Sequence, residues 1–296
     1  MLLMQLSEFS ESSDDSTILD ESCLITSSTS NSDQNTNASH DQNESLSDVS
    51  PRVPTLNRTN TRDSDLQVLQ QTNNEKLRSK SIRIFYQNIR GLKTKTQEFF
   101  LNLLSEDYDV IAIVESWLTP DINSSELFDS RYAVFRQDRD TVETGKESGG
   151  GLIIGVKKEL LVIPLTQWNE CTRGTESLWI KSSFYGKEVI IALCYFPSPL
   201  KPDTMKSFLN NLAMKEELTH KRLIMLGDFN ITDFHHYQEE SADEMSKSMD
   251  YLSKIISLYD LESFNTIKNK NGRILDLYLS NFDKHKIGRK KYALLV

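Results

Sequence analysis

Hydrophobic and polar positions follow short, regular patterns from Ser81 onward, and these patterns predict a mixed fold of strands and helices. Ile82–Tyr86 is rich in β-formers and alternates in character, which is typical of a strand with a buried face. Val110–Val114 is apolar without interruption, as in a strand that is buried on both faces. Apolar residues at helical spacing predict a helix over Thr94–Ser105.

The same patterns continue to the last strand of the chain. They predict strands over 132–136, 150–156, 177–184, 189–195, 222–226 and 274–279, and helices over 203–218 and 246–259. Tyr185-Gly186-Lys187 separates two of these strands and predicts a hairpin. Hairpins mixed with strand–helix alternation indicate an α+β fold, an α/β sandwich in which two facing mixed β-sheets are flanked by helices.

Residues 1–79 have a different character and predict a disordered, acidic tail rich in Ser and Asn. The first fifty residues contain no Lys or Arg and few apolar side chains. Such a segment cannot bury enough apolar surface to offset the entropy that ordering costs. The sequence therefore predicts two regions, a tail at 1–79 and a folded domain at 80–296, with a short helix near 66–77 as an alternative within the tail.

Charge and composition narrow the classes of partner. The net charge is −9, but residues 1–80 hold 6 basic and 13 acidic residues, which leaves −2 for the remainder. Any contact with phosphate groups must therefore come from local placement of cations. No apolar run reaches the roughly 18 residues of a membrane span, and three widely spaced cysteines form no metal motif, so we expect an intracellular protein.

Polar side chains follow several of the predicted strands. Asp228 and Asn230 come directly after the strand 222–226, and a carboxylate and an amide placed so close together can orient a water beside a phosphate group. Asn88 and Glu115 follow the first two strands, and Tyr195 ends a later one. The last strand carries a further carboxylate, Asp276.

Each of these residues also has an ordinary structural explanation. Asn88 is suited to capping a turn, Glu115 to capping a strand end, Tyr195 to a half-buried core position, and Asp276 to a satisfied buried carboxylate. Together, carboxylates, amides and a phenol at one edge of a sheet form a natural metal and phosphate site.

These motifs, in this order, resemble the endonuclease/exonuclease/phosphatase superfamily, and more narrowly the apurinic-endonuclease-like domain of non-LTR retrotransposons. The resemblance covers about residues 81–282. The matching motifs are Gln87-Asn88-Ile89-Arg90-Gly91-Leu92, Glu115-Ser116-Trp117-Leu118, Arg136-Gln137-Asp138-Arg139 with Gly149-Gly150-Gly151, Tyr195-Phe196-Pro197, Gly227-Asp228-Phe229-Asn230 and Leu275-Asp276-Leu277.

The resemblance implies a metal-dependent phosphodiester hydrolase. Glu115 would hold a divalent metal, Mg2+ or Mn2+, and Asn88 would lie near that metal or the phosphate. Asp228 would orient and deprotonate the attacking water, while Asn230 would donate to a phosphate oxygen and help position Asp228.

Two further residues complete the implied site. Tyr195 would contact the phosphate or assist the leaving oxygen. Asp276 would support a histidine, which the superfamily carries in a Ser-Asp-His triplet on one more strand. This chain contains no such triplet, so we expect the last strand to be missing and its neighbour to have an open edge. His285 is a poor substitute for the histidine of the triplet, because it follows Asp276 too closely in the sequence. His235 and His236 belong to a polar loop.

Three functions remain open from the sequence. The first is a Mg2+-dependent endonuclease that nicks DNA for retrotransposition beside a reverse transcriptase, in the nucleus, with activity in doubt because the triplet is absent. The second is a catalytically inactive remnant with a nucleic-acid-binding or interaction role. The third is a phosphatase or phosphodiesterase that acts on lipid or inositol phosphates.

Overall fold

The computed structural model describes residues 2–7, 81–146, 149–232, 244–283 and 287–290. The predicted tail from residue 8 onward, the alternative helix near 66–77 and the histidines His235, His236 and His285 lie outside these residues. The described strands are β1 (Leu2–Ser7), β2 (Ser81–Asn88), β3 (Val110–Val114), β4 (Tyr132–Gln137), β5 (Leu152–Lys157), β6 (Ile163–Pro164), β7 (Glu170–Cys171), β8 (Glu176–Phe184), β9 (Lys187–Tyr195), β10 (Arg222–Asp228), β11 (Glu262–Ser263), β12 (Asp276–Ser280) and β13 (Ile287–Lys290).

The α-helices of the described residues are α1 (Thr96–Ser105), α2 (Thr141–Thr144), α3 (Pro202–Ala213) and α4 (Glu244–Leu258). Short 3-10 helices cover Ser124–Glu126, Lys158–Leu160, Thr166–Trp168 and Glu216–His220. The predicted helix at 203–218 is therefore divided into α3 and a 3-10 helix. The backbone turns after Ala213, and the second part has hydrogen bonds between residues three apart instead of four. The other predicted elements are present, with ends that differ by a few residues.

The strands form two mixed sheets. Sheet A has the order β13-β1-β2-β3-β5-β4, and sheet B has the order β11-β12-β10-β9-β8-β6, with β7 paired to β8. Within sheet A, β2 and β3 are parallel, and within sheet B, β9 and β10 are parallel, whereas the other pairs are antiparallel.

The two sheets pack face to face around an apolar core. Ile84 and Tyr86 of β2 lie on one side of this core, and Leu193 of β9 and Leu226 of β10 lie on the other. The outer face of sheet A packs against α1, and the outer face of sheet B packs against α3 and α4. The prediction of two facing mixed sheets flanked by helices is thus confirmed.

Strand β1 corrects part of the predicted tail. Leu2–Ser7 pairs antiparallel with β2 on one side and with β13 on the other, and Leu6 is buried at 1% exposure. The hydroxyl of Tyr185 donates a 2.9 Å hydrogen bond to the carbonyl of Leu6. The sequence places these six residues in the tail, whereas their main-chain groups are paired by a sheet edge that the local sequence does not reveal.

Two further strands cover the side of β2 that faces away from β3. Both edges of β2 are paired, one with β3 and one with β1. The outermost strand on this side is β13, which is formed by Ile287–Lys290 from the basic stretch near the end of the sequence.

The described helices include none that is long and apolar enough to cross a membrane.

Candidate active site

The candidate site lies where strand ends of both sheets meet. In sheet B, Asp228 at the end of β10 pairs in register with Tyr195 of β9 and with Asp276 of β12. In sheet A, Asn88 at the end of β2 pairs in register with Val114, so Glu115 follows at the same edge. Since the two sheets face each other, these ends bring three carboxylates, an amide and a phenol close together.

Gly227 allows β10 to approach β9 closely just before Asp228. A side-chain carbon at Gly227 would lie 1.9 Å from the carbonyl oxygen of Cys194, a main-chain atom that cannot move aside. Glycine is therefore required at this position by the packing of the two parallel strands. The Gly-Asp pair seen in the sequence thus has a steric cause as well as a chemical one.

Asp228 is the central carboxylate of the site. It is buried at 6% exposure, and its Oδ2 accepts a 2.9 Å hydrogen bond from Nδ2 of Asn88. Its Oδ1 accepts a 3.1 Å hydrogen bond from the backbone N–H of Asn230. Burial and the nearby Asp276 raise the pKa of Asp228 from 3.8 to about 7, although the two hydrogen bonds act in the opposite direction. Such a carboxyl group can take up and release a proton near neutral pH.

Asp276 is held by a residue that the sequence analysis did not identify. The hydroxyl of Tyr86, in the middle of β2, donates a 2.6 Å hydrogen bond to Oδ1 of Asp276. Burial, together with the charges of Asp276 and Asp228, raises the pKa of Tyr86 well above 10.0, so the hydroxyl keeps its proton. Burial also raises the pKa of Asp276, and the Tyr86 hydrogen bond opposes that shift.

A period of two along β2 could have revealed Tyr86. Ile84, Tyr86 and Asn88 are spaced by two residues, so their side chains share the face that points toward sheet B. A phenol two residues before the predicted site residue Asn88 therefore had to lie beside it. The same periodicity that predicts the strand thus also indicates a phenol at the site.

Tyr195 and Glu115 form the neighbouring part of the site. The Tyr195 hydroxyl and the Glu115 carboxylate are hydrogen-bonded, and burial and this carboxylate raise the pKa of Tyr195 far above 10.0. The guanidinium carbon of Arg139 lies 5.6 Å from the centre of the Tyr195 ring. Glu115 has a φ of 55°, in the left-handed region where non-glycine residues are uncommon, and such conformations concentrate at functional sites.

Asn230 does not continue the extended conformation of β10. Its φ is 50°, and its Nδ2 donates a 2.7 Å hydrogen bond to the carbonyl of Phe196, at the end of β9. Its contact with Asp228 is made through the backbone N–H. The side chain of Asn230 therefore fixes the loop after β10 to the neighbouring strand end.

A buried ion pair supports the wall of the site. Nε of Arg139 donates a 2.6 Å hydrogen bond to Glu176, whose second oxygen accepts a 2.7 Å bond from the backbone N–H of Gly151. Glu176 is fully buried. A side-chain carbon at Gly150 would lie 2.2 Å from the Arg139 guanidinium, so the glycine run exists to admit this side chain. The sequence singled out Arg139 and the glycines but not Glu176, because a strand-initial Glu carries no local signal of burial.

The oxygen atoms present fit a hard divalent cation. Oδ1 of Asn88 is buried and has no hydrogen-bond partner among the described residues, and the Glu115 carboxylate is half-buried at the same edge. Carbonyl and carboxylate oxygens with several waters are the ligands that Mg2+ prefers, and Mn2+ accepts the same set. The described part of the chain contains no group of three or more His, Cys, Asp or Glu side chains arranged to hold a metal on their own.

The described residues place no imidazole at this site. Their single histidine, His220, ends the 3-10 helix Glu216–His220, just before the start of β10. Asp228 lies at the other end of that strand, which at about 3.3 Å per residue is roughly 20 Å away. Within the described residues, Asp276 thus contacts a tyrosine hydroxyl where the resemblance implies a histidine.

Comparison with known proteins gives similar structures but no sequence match. Neither a family model nor a curated protein matches the chain. The endonuclease domain of TRAS1, a telomere-specific non-LTR retrotransposon, is 18% identical with a TM-score of 0.47, and the match covers 66% of this chain and 82% of that domain.

Two further structures are similar to this chain. The AP endonuclease LMAP from Leishmania major is 12% identical with a TM-score of 0.48, covering 67% of this chain and 78% of that one. An endonuclease/exonuclease/phosphatase family protein from Leptotrichia buccalis is 14% identical with a TM-score of 0.42, covering 67% and 87%.

Proposed function

We propose that this chain is a metal-dependent phosphodiester hydrolase that nicks DNA. The observation that carries the proposal is the environment of Asp228, a buried carboxylate with a pKa of about 7 held by Asn88 and the Asn230 backbone. A general base works best when its pKa lies close to the working pH and its orientation is fixed by hydrogen bonds. The folded unit that acts includes β1 together with the strands and helices from Ser81 onward.

The roles of the site residues follow from their contacts. Ionised Asp228 orients the attacking water and accepts its proton. The free amide proton of Asn230 donates to a non-bridging phosphate oxygen. Tyr195 keeps its proton because its pKa is raised, so its hydroxyl can donate to the oxygen that leaves.

Glu115 and Asn88 would hold the divalent cation through the carboxylate and the unpaired Oδ1. When bound, Mg2+ would supply positive charge that stabilises the charge on the phosphate in the transition state. Asp276, kept in place by Tyr86, supports the site by fixing the negative environment that sets the pKa of Asp228.

The experiment is nicking of supercoiled plasmid by the full chain with Mg2+, next to the Asp228→Asn protein. Nicking by the parent protein alone, abolished by EDTA, is the expected result. Glu217→Gln is the matched carboxylate control, because Glu217 is exposed in the 3-10 helix at the far end of β10. Equal nicking by the parent and Asp228→Asn proteins would refute the proposal.

A second function is supported by one observation: among the described residues, the side chain that hydrogen-bonds Asp276 is Tyr86, and no histidine contacts this carboxylate. A histidine at such a site typically contributes several kcal/mol to transition-state stabilisation, so a site without one can retain binding and lose turnover. A folded protein that binds DNA but does not nick it under any metal would favour this function. The first proposal also includes a role in retrotransposition, beside a reverse transcriptase and in the nucleus. This part of the proposal rests on the motif resemblance.

A further inference from the structure

A cavity of about 390 Å³ opens beside the candidate site. Its lining includes Arg90, Lys93, Lys95 and Arg139, together with the indole of Trp117. Among the described residues no acidic side chain lines it, although the whole chain has a net charge of −9. We refer to this cavity, which is defined by Trp117 and the cations Arg90, Lys93 and Lys95, as the Trp117 cleft.

Trp117 is partly exposed, and its ring and backbone are held by contacts with two glycines. The residue is 45% exposed, and a side-chain carbon at Gly91 would lie 2.7 Å from Cε3 of the indole, so the Gly91 backbone packs directly on the ring. Its backbone N–H donates a 2.9 Å hydrogen bond to the carbonyl of Gly150, and its φ is 54°. An exposed aromatic side chain held in an uncommon backbone conformation indicates a binding role, because folding alone gains little from it.

The Trp117 cleft adjoins the carboxylates of the site. Arg90 is exposed with a φ of 49°. Burial raises the pKa of Asp276 and the charge of Arg90 opposes that shift, which places the guanidinium within electrostatic reach of the carboxylate. Trp117 follows Glu115 by two residues, and the backbone N–H of Gly91 donates a 2.8 Å bond to the carbonyl of Glu115. The Trp117 cleft therefore adjoins the strand end that carries Glu115.

A second cavity has a volume of about 430 Å³. Its charged lining residues are Lys146, Arg173 and Lys201, and none of the described residues that line it is acidic. The pKa of Lys146 is lowered by burial and by the charges of Arg139 and Arg173, while Glu115 opposes the shift. These electrostatic contacts place this cavity, the Lys146 cleft, next to the same site.

We propose that the Trp117 cleft binds an unpaired nucleotide of the substrate strand, with its base stacked on the Trp117 indole and its phosphates on Arg90, Lys93 and Lys95. The strand continues past Asp228 and its next phosphates occupy the Lys146 cleft. This inference deepens the proposed function, because it names the form of nucleic acid that the site accepts.

The combination of a flat aromatic side chain and flanking cations selects this ligand. A nucleobase stacks on an aromatic ring regardless of its sequence, while Lys and Arg neutralise the phosphates on either side. A base within a duplex already has both faces covered by its neighbours, so it must leave the stack before it can reach Trp117. A sugar or inositol phosphate would engage the cations but would gain no stacking from the indole.

The test measures binding without cleavage. The full chain carrying Asp228→Asn is titrated in EDTA against a fluorescent single-stranded oligonucleotide and against the matching duplex. We expect tighter binding of the single strand, and we expect Trp117→Leu to weaken that binding by about 5- to 100-fold, the range of base–aromatic stacking. Trp117→Phe should keep most of the affinity, and Met214→Ala, which removes another exposed apolar side chain just after α3, should change nothing.

An oligonucleotide with abasic positions separates stacking from charge. It carries the same phosphates, so it should bind Trp117→Leu and the parent protein equally, whereas Lys146→Ala and Lys201→Ala should weaken every nucleic acid alike. Equal single-strand affinity of Trp117→Leu and the parent, or an equal loss with the abasic probe, would overturn the proposal. Intact binding without any nicking by the parent protein would refute only the proposed hydrolase.

Discussion

The hydroxyl of Tyr86 donates a 2.6 Å hydrogen bond to the carboxylate of Asp276, and this bond connects the middle of β2 in sheet A with the start of β12 in sheet B. It is the contact by which the second carboxylate of the site is fixed across the core. Asp276 in turn raises the pKa of Asp228, its register partner in β10. The chemistry of one sheet thus depends on a phenol of the other.

Removal of the Tyr86 hydroxyl should therefore destabilise the protein. Tyr86→Phe leaves Oδ1 of Asp276 without its donor, and a buried carboxylate that loses a hydrogen bond costs about 1.5–3 kcal/mol. Urea denaturation at pH 8 measures the loss.

Tyr278→Phe is the matched control, because the Tyr278 hydroxyl is also buried in the core between the sheets but has no partner among the described residues. We expect this change to be neutral or slightly stabilising. An equal loss of stability in the two variants would contradict the role of the Tyr86 hydrogen bond.

Asp228→Asn should abolish nicking and at the same time stabilise the fold. The pKa of Asp228 is about 7 in the folded protein and 3.8 as its reference, so the folded state prefers the protonated carboxyl. The free energy of unfolding therefore falls as the pH rises from about 4 to about 7, and the cost is fully present above that range. Asn removes the charge, and we expect a gain of about 1–2 kcal/mol at pH 8 that shrinks toward pH 5. Thermal unfolding at both pH values measures it, and a gain that does not depend on pH would be inconsistent with the raised pKa.

Nicking should lose about tenfold in rate per pH unit as the pH falls below about 7, because only ionised Asp228 can accept the proton of the attacking water. Single-turnover rates between pH 5 and pH 8.5 give the profile. A flat acid limb in that range would remove Asp228 as the general base.

Gly150→Ala should destabilise the protein more than Gly186→Ala does, although both glycines have left-handed backbone conformations. Gly150 and Gly186 have φ values of 68° and 74°, so both substitutions incur the backbone cost of about 1 kcal/mol. A side-chain carbon at Gly150 would also clash with the Arg139 guanidinium. A side-chain carbon at Gly186 would have no neighbouring atom of the described residues within 4 Å. The difference in unfolding free energy isolates the contact with Arg139, and equal values would show that the ion pair can shift without cost.

Strand β1 should contribute to stability. Leu6→Ala removes a side chain that is buried at 1% exposure, and such changes cost about 2–4 kcal/mol. Leu161→Ala, at 76% exposure, is the control. Deletion of residues 1–79, which the sequence pattern alone predicts to be harmless, should lower the melting temperature, and an unchanged transition would show that β1 is dispensable.

The sequence predicted the core elements well because their patterns are local. The uninterrupted apolar run Val110–Val114 and the helical spacing in α1 are set by neighbours along the chain, and the structure has both. The polar residues at the ends of the predicted strands also indicated that Asp228, Asn88 and Asp276 lie near one another, and the structure brings them together. What local patterns could not give were partners distant in the chain: Leu2–Ser7 as a strand, Glu176 under the glycine run, and the Tyr86 contact.

The position of β1 has a consequence for how the chain folds. Leu3 pairs with Lys290, so two segments from opposite regions of the sequence must meet before sheet A is complete. The hairpin β8–β9, by contrast, closes across Tyr185-Gly186 and needs no distant partner. Because long-range pairing must first overcome the entropy of closing the intervening chain, sheet B should form early, while the outer strands of sheet A join last and set the folding rate.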